Sequence, residues 1–483
     1  MICATPSRPN RRRNPVARRE SFAKAEKLLM VLADAVLFVA CLFFSAWLRF
    51  TPLFGYHKGG IPQRNLDAVM STFGWAVIGF IIISAFSGIY VLYNKTQLDL
   101  IIITIIDQLL VSVVIAASTF AGNWFAFPRG AILINLVIGT VVISIWRVLV
   151  YLIYRRVRGS NRVMVLTIPN HESKAVKNFS SNRSPRHKLT HVADGNYLAH
   201  LQAHVDEYDS VHVSDRIDPQ TRRQVIDWLL EEGKEVFLTA DFQRLLMINP
   251  NIMSIEDESI VLVSPFRIPA EYDLLKRVGD FIIALVGLVV VSPILLVTAI
   301  LVKATSPGPV FYKQTRITLG NREFQILKFR SMSATAEKHS GPVLATSNDA
   351  RVTKVGKYLR SMRIDELPQL INVLRGDMSL VGPRPERPFF VEQFTEINPH
   401  YPLRHNVRAG VTGYAQVYGK YASDFESKLN FDLLYIKQYS PILDLKIMLQ
   451  TVKILFDKVS SAGLEDEEEG GTVVLPADTV VLH

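Results

Sequence analysis

The sequence is nearly without cysteine: Cys3 and Cys41 are the only two in 483 residues. Cys3 lies in a basic leader and Cys41 in an apolar run, so no disulfide framework or zinc site can be read from them. Internal repeats are lacking too. A glycine-rich turn is missing where a dinucleotide would need one. The strand-like RVMVLTI (162–168) is followed by Pro169, Asn170 and His171, and without glycines the backbone cannot closely approach a pyrophosphate. No small-residue cleavage site follows the first apolar run before Trp47, Leu48 and Arg49. That favours an uncleaved anchor over a signal peptide. An even spread of apolar residues is absent as well. Hydrophobic residues make up 49% of the chain, mean hydropathy is +0.20, and the apolar residues are clumped. Such a pattern points to a membrane protein.

Four apolar segments, 28–48, 69–92, 99–121 and 131–153, each approach the ~20 residues that cross a bilayer as a helix. Arg8, Arg11, Arg12, Arg13, Arg18 and Arg19 precede the first, within a leader 1–27; Arg155, Arg156, Arg158 and Arg162 follow the fourth. Lys and Arg stay cytoplasmic, so both ends of a four-helix transmembrane region (28–155) are expected there, with Lys95 in the 2–3 turn. Lys58 and Arg64 in the 1–2 loop fit the rule less well. The net charge of +10 suits anionic lipid or a phosphorylated substrate, and a basic leader beside a membrane helix does not require nucleic acid. Asp34 and Asp107 lie inside apolar segments, where carboxylates mark either a site or an interfacial or helix-pairing contact.

Residues 160–265 read as a small α/β domain. DSVHVS (209–214) and EVFLTA (235–240) resemble short buried strands, and RRQVIDWLLEEG (222–233) an amphipathic helix ended by Gly233. Alternation of strands and helices implies a parallel sheet, with a regulatory or dimerising role as the default. A fifth apolar run, 281–302, is flanked on both sides by positive charge: Lys276 and Arg277 before it, Lys303, Lys313 and Arg316 after it. That disfavours a crossing. Pro293 at its centre removes a backbone donor and kinks or breaks a helix. The Ser292 hydroxyl can satisfy a freed carbonyl. A helix that enters, bends and returns to the cytoplasmic face is expected, with a kinked fifth span as the alternative. The tail 461–483 contains the acidic run 465–469 and is expected to be disordered.

The densest polar segment is RSMRIDELPQLINVLRGDMSLVGPRPE (360–386). Asp365 and Glu366 are adjacent, and Pro368 suits the start of a helix running to about Leu374. Acidic residues there complement a helix dipole, and spacing alone leaves that reading open. The surroundings favour chemistry. Arg360, Arg363, Arg375 and Arg384 lie nearby, with Lys328 and Arg330 upstream and Arg404, Arg408 and Lys420 downstream. Arginine grips phosphate oxygens bidentately, and Mg²⁺ is held by one or two carboxylates plus substrate phosphates. Two carboxylates amid cations suit phosphoryl transfer, one attacking phosphorus and the other holding metal.

These blocks resemble the monotopic polyprenyl-phosphate phosphoglycosyl transferases, in their larger form, the polyprenyl-phosphate hexose-1-phosphate transferases. The resemblance covers 271–457 and includes LKFRSM (327–332), DELPQLINVLRGDMSLVGPRPE (365–386), GVTGYAQV (410–417) and DLLYIKQYS (432–440). It implies a membrane protein with four transmembrane helices, a degenerate Rossmann-like domain, and an α/β catalytic domain (271–460) carrying the re-entrant helix 281–302. It further implies transfer of hexose-1-phosphate from a UDP-sugar to undecaprenyl phosphate at the bacterial inner membrane, starting polysaccharide synthesis, with Mg²⁺ and a homodimer. By the same resemblance Asp365 is the nucleophile and Glu366 binds Mg²⁺ with it. Lys328, Arg408 and Asp432 belong to the site, Arg360 and Arg384 bind phosphate, and Ser292-Pro293 is the helix break. The sequence departs from the family's pattern at Thr318, where glycine is usual, at Ala409, where proline is usual, and at Lys420, where arginine is usual. Against this stand a membrane scaffold with a lapsed site, which the intact Asp365, Glu366, Lys328 and Arg384 disfavour, and a polytopic phosphotransferase, which would need more intramembrane acids than Asp34 and Asp107.

Overall fold

The computed structural model describes residues 15–54, 60–92, 96–169, 174–180, 187–332, 351–419, 424–455, 475–476 and 478–483. The leader 1–14, Lys58, Lys95, His171, Lys420 and the acidic run 465–469 lie outside them. The chain forms two units, Met1–Thr239 with Gly470–His483, and Ala240–Glu469.

The first unit opens with four helices, α1 (Pro15–Arg49), α2 (Gln63–Phe86), α3 (Gln97–Ala121) and α4 (Arg129–Arg158). Each is long and apolar enough to cross a membrane. Local chemistry sets their ends. Thr96 and Asp99 form a reciprocal capping box before α3, and Gly159, at φ 64°, stops α4. α1 packs on α2 and α4, and α3 on α2 and α4. Phe38 stacks on Phe80 with ring centroids 4.4 Å apart. Arg147 is fully buried among them. It donates to Asp34 at 2.9 Å, to Asp107 at 3.1 Å, and to Thr104 and Ser84. Asp34 and Asp107 are therefore helix-pairing groups, not interfacial ones.

A parallel sheet follows, built from β1 (Asn161–Leu166), β2 (His187–Ala193), β3 (Ser210–Val213) and β4 (Glu235–Leu238), with α5 (Lys174–Ser180), α6 (Tyr197–Ala203) and α7 (Pro219–Glu231) between them. Asp218 caps α7 by accepting the Gln220 and Thr221 N–H groups. The strand order is β2-β1-β3-β4, with a last strand, Val480–Leu482, parallel to β2 at the edge. Two features differ from expectation. β2 has the sequence HKLTHVA, too polar to register as a buried strand. The end of the tail, read as disordered, supplies the apolar VVL, which pairs the open backbone of β2.

The second unit begins with α8 (Phe242–Leu246) and the antiparallel hairpin β5 (Asn251–Ile255) and β6 (Glu258–Leu262). The sequence placed residues up to 265 with the α/β domain. Leu245, with Phe242, Leu246 and Ile248 packed beside it, instead joins the core formed by Phe324, Ile326, Val373, Met378, Tyr401, Leu433 and Ile436. Burial at the far end of the segment decides the boundary.

Helix α9 (Ala270–Thr305) runs without interruption through Pro293, where a break was expected. The Ser292 hydroxyl donates to the Val289 carbonyl at 2.7 Å. That is the carbonyl whose helical donor Pro293 lacks, so the ladder is mended locally. Lys276 and Arg277, read as flanking charges, have other tasks. Lys276 is buried and ion-paired with Asp444. Arg277 caps the carbonyls of Val373 and Leu374. After α9 come the antiparallel β7 (Phe311–Ile317) and β8 (Glu323–Phe329), α10 (Lys354–Ser361), α11 (Gln369–Arg375), β9 (Met378–Val381), α12 (Pro388–Ile397), β10 (Ala409–Thr412) parallel to β9, α13 (Tyr414–Tyr418), α14 (Phe425–Lys437) and α15 (Pro441–Leu455).

Candidate active site

Asp365 and Glu366 sit in a single 3-10 turn, Ile364–Glu366, just before α11. The preceding Arg363 has φ 54°, a left-handed conformation unusual outside glycine, asparagine and aspartate. It turns the chain sharply between α10 and the carboxylates. Asn372 fixes α11 to β8: its Oδ1 accepts the Leu327 N–H at 2.9 Å and its Nδ2 donates to the Gln325 carbonyl at 2.8 Å. Lys328, the next residue on β8, then reaches Glu366.

Glu366 Oε1 accepts from Lys328 Nζ at 3.0 Å and from Arg384 Nη2 at 3.1 Å, and Arg363 stands 4.0 Å from Oε2. Burial alone would raise the Glu366 pKa. Lys328 and Arg384 outweigh it, so the carboxyl is held well below its ordinary value. Asp365 goes the other way. Burial, and then the charge of Glu366 beside it, push its pKa up to about 6, although Lys328 and Arg360 pull it down. Two adjacent carboxyls thus differ in kind: one a locked anion, the other a less acidic group that still ionises at neutral pH.

Arg384 is held from behind. Its carbonyl accepts from Arg404 at 2.9 Å, and Arg404 is itself ion-paired with the buried Asp432 at 2.7 Å. A small pocket lined by Arg316, Lys328, Gln369, Arg384, Pro385 and Gly410 adjoins the pair. Gly410 must be glycine: a Cβ there would lie 2.1 Å from the Gly382 nitrogen.

Lys328, Arg384 and, through its field, Arg360 are therefore gathered around Asp365 and Glu366. Asp432 is not. It is buried and ion-paired with Arg404, the residue that holds the Arg384 carbonyl. Arg408 donates instead to Asp273 at 2.8 Å. Sequence reasoning missed Arg316, treated as a flanking charge, and the bracing role of Asn372. A polar residue inside the apolar run LINVL was the available signal for the latter. Asp280 also emerges as an anchor: it accepts the Ser379 hydroxyl at 2.6 Å and the Leu380 N–H at 3.1 Å.

Comparison with known proteins matches residues 271–458 to the family model described as bacterial sugar transferase. A UDP-N-acetylgalactosamine-undecaprenyl-phosphate N-acetylgalactosaminephosphotransferase of Aeromonas hydrophila is 48% identical over 187 residues, which is 38% of this chain and 44% of that protein. A UDP-glucose:undecaprenyl-phosphate glucose-1-phosphate transferase of Klebsiella pneumoniae is 46% identical over 182 residues, 37% of this chain and 39% of that one. The matched segment thus spans less than half the length of these two relatives. A protein of the same printed name from Caulobacter vibrioides is 44% identical over 190 residues, 38% of this chain but 70% of that protein. With more than two thirds of a relative covered at that identity, and the family model matching the segment that carries the Asp365–Glu366 turn, the chain belongs to the bacterial sugar transferase family.

Proposed function

We propose that this protein transfers a hexose-1-phosphate from a UDP-sugar to undecaprenyl phosphate, giving polyprenyl-diphospho-sugar and UMP, as the first step of a surface polysaccharide. The observation that carries the reading is the division between the two carboxylates. Glu366 is neutralised by Lys328 and Arg384, while Asp365, raised to about 6, is the more basic and more nucleophilic oxygen at neutral pH. An Asp365 oxygen attacks the β-phosphorus of the sugar nucleotide. The bond from that phosphorus to the bridging oxygen breaks and UMP leaves. An oxygen of the lipid phosphate then attacks the same phosphorus, and the bond to Asp365 breaks, restoring the carboxylate. Both attacks join an anion to an anion, so the cations lining the pocket carry the electrostatic cost. Arg384 and Arg316 are suited to the diphosphate oxygens.

An all-oxygen pair of carboxylates fits a hard cation such as Mg²⁺. Asp365 and the Glu366 oxygen left free by Lys328 and Arg384 would hold it. When bound, it would supply charge neutralisation at the diphosphate.

Helix α9 supports a membrane-surface location. One stripe, Lys276, Asp280, Ala284, Val291, Leu295, Thr298 and Val302, is buried or half-buried, whereas Val286, Val289, Val290, Ile294 and Val297 are exposed. The stripe is docked towards both ends, with the polar anchors Lys276 and Asp280 at one and Phe329 and Leu359 at the other. A helix crossing straight through lipid would carry those partners into hydrocarbon. We read it as re-entrant, bending at Pro293 without leaving the helix, from the cytoplasmic side of the inner membrane, with α1–α4 crossing four times.

The test is release of UMP from a panel of UDP-sugars by the solubilised protein with Mg²⁺ and a polyprenyl phosphate. Asp365→Asn is expected to lower release by about 10³-fold or more, and the wild type to carry sugar phosphate covalently when lipid is omitted. A wild type that never becomes loaded and forms no lipid product defeats the reading.

A further inference from the structure

Away from the carboxylate pair, in the parallel-sheet domain, three side chains converge. His191 lies on β2, His204 caps the C-terminus of α6, and Glu207 follows one turn later. His191 Nε2 is 3.1 Å from Glu207 Oε2, and His204 Nδ1 is 3.3 Å from the same oxygen. The three ligand atoms lie within 4.8 Å of one another. Ligand atoms of a tetrahedral zinc site, with bonds of about 2.0–2.1 Å, stand about 3.3–3.4 Å apart. The two nitrogen–oxygen separations, 3.1 and 3.3 Å, are within about 0.3 Å of that value.

His191 Nδ1 lies 3.1 Å from the Thr190 hydroxyl, which also reaches the Val163 carbonyl at 3.2 Å. With the proton on Nδ1, the neutral ring directs its Nε2 lone pair at a carboxylate oxygen. A cation between them satisfies both, and an Nδ1–H held by an outer oxygen is the usual support of a metal-bound histidine. His204 Nδ1 adds a second nitrogen. It is shielded from solvent and makes no hydrogen bond. The turn is preorganised, because the Glu207 N–H donates to the His204 carbonyl at 2.9 Å. Arg162, a cation whose field reaches His191, is paired with Asp209 at 3.3 Å. His191 is buried, while the Glu207 side chain is 56% exposed, which leaves an approach for the ion and a fourth position for water.

We propose that His191, His204 and Glu207 form a binding site for Zn²⁺. Two imidazoles and one carboxylate suit zinc and its first-row neighbours and not Mg²⁺. The ion would staple β2 to the crossover that leads from α6 to β3, so its role is to stabilise this domain. It is independent of the Mg²⁺ expected at Asp365.

The test uses the full-length protein in detergent, stripped with a chelator and titrated with ZnCl₂ against a chromogenic competitor. A parallel titration with Co²⁺ is followed by its visible absorption. One equivalent of zinc is expected, with a four-coordinate Co²⁺ spectrum and a higher unfolding temperature. Glu207→Gln, exposed and harmless to the core, and His204→Gln should each weaken zinc by at least about tenfold while circular dichroism stays unchanged. No saturable zinc binding, a six-coordinate cobalt spectrum, or zinc retained at full affinity by both variants would overturn the assignment. If a variant misfolds, the wild-type cobalt spectrum alone decides.

Discussion

Asp365 and Glu366 are chain neighbours, yet burial and Glu366 push the acidity of Asp365 one way while Lys328 and Arg384 pull that of Glu366 the other. The consequence for Asp365 has a definite sign. Its pKa is raised in the folded protein from 3.8 to about 6, so its favourable contribution is complete below the unfolded value and is lost as pH rises through about 6. Above that, an ionised buried carboxylate destabilises the fold by roughly 3 kcal/mol at most. Asp365→Asn should therefore stabilise the protein at pH 8 and do almost nothing at pH 4, read from unfolding curves at the two pH values. Under the proposed mechanism the same ionisation would govern attack. The rate at limiting substrate should fall about tenfold per pH unit below about 6; a rate flat down to pH 4.5 would remove Asp365 from the role. At this scale the sequence was informative where opposite charges are close in the chain, as around Asp365. It was silent where partners are distant. Arg408 and Asp432 carry the expected chemical types, but only the fold reveals that their charges are spent on Asp273 and Arg404.

Elements are joined by contacts that single positions conceal. Two departures from the family's usual pattern, Thr318 and Ala409, prove to be one. The Ala409 N–H donates to the Thr318 hydroxyl at 3.1 Å, and that hydroxyl donates to the Asp377 carbonyl at 2.8 Å. Proline at 409 would have no N–H to satisfy, and glycine at 318 no hydroxyl to offer. Thr318 has φ −133°, extended backbone that does not need glycine. The pair thus links the end of β7 to the start of β10, beside Gly410 and the pocket. Thr318→Gly alone should cost about 1–3 kcal/mol by orphaning a buried donor. Adding Ala409→Pro to it should cost little more, whereas Ala409→Pro alone leaves the hydroxyl without its donor. A double-mutant cycle on unfolding free energy measures the coupling; strict additivity would show the two positions to be unrelated. The helices themselves were legible because apolar runs of their length are unmistakable. β2 was not, because its polar side chains hide a strand whose pairing comes from β1 and the C-terminal VVL. Nor was the partner of Asp34 and Asp107: Arg147 sits within the fourth apolar run and was the one cation there able to pair with both.

For the whole molecule, the decisive question is how α9 meets the bilayer. Its 36 residues make a helix of roughly 54 Å, more than the ~30 Å of hydrocarbon, so length alone permits a crossing. Composition permits it as well, since the run is apolar on the sides that face outward. What opposes it is attachment. Asp280 and Lys276 near the start are bonded to Ser379 and Asp444, and Thr298 and Val302 near the end are buried, with Val302 against Phe329 and Leu359. All these partners belong to one unit, and Arg330 closes the helix by donating to the Ser306 carbonyl at 2.7 Å. Both ends should therefore report the same side of the membrane. Position 276 is a poor probe, because Lys276 is buried and paired. Glu271 and Lys303 are exposed and serve instead. With Cys3 and Cys41 replaced by serine, Glu271→Cys and Lys303→Cys should label together with a membrane-impermeant maleimide only in inside-out vesicles. Labelling from opposite sides would mean that α9 crosses, that the stripe from Lys276 to Val302 is torn from its partners in lipid, and that Asp365 does not work at the surface from which the lipid phosphate is presented.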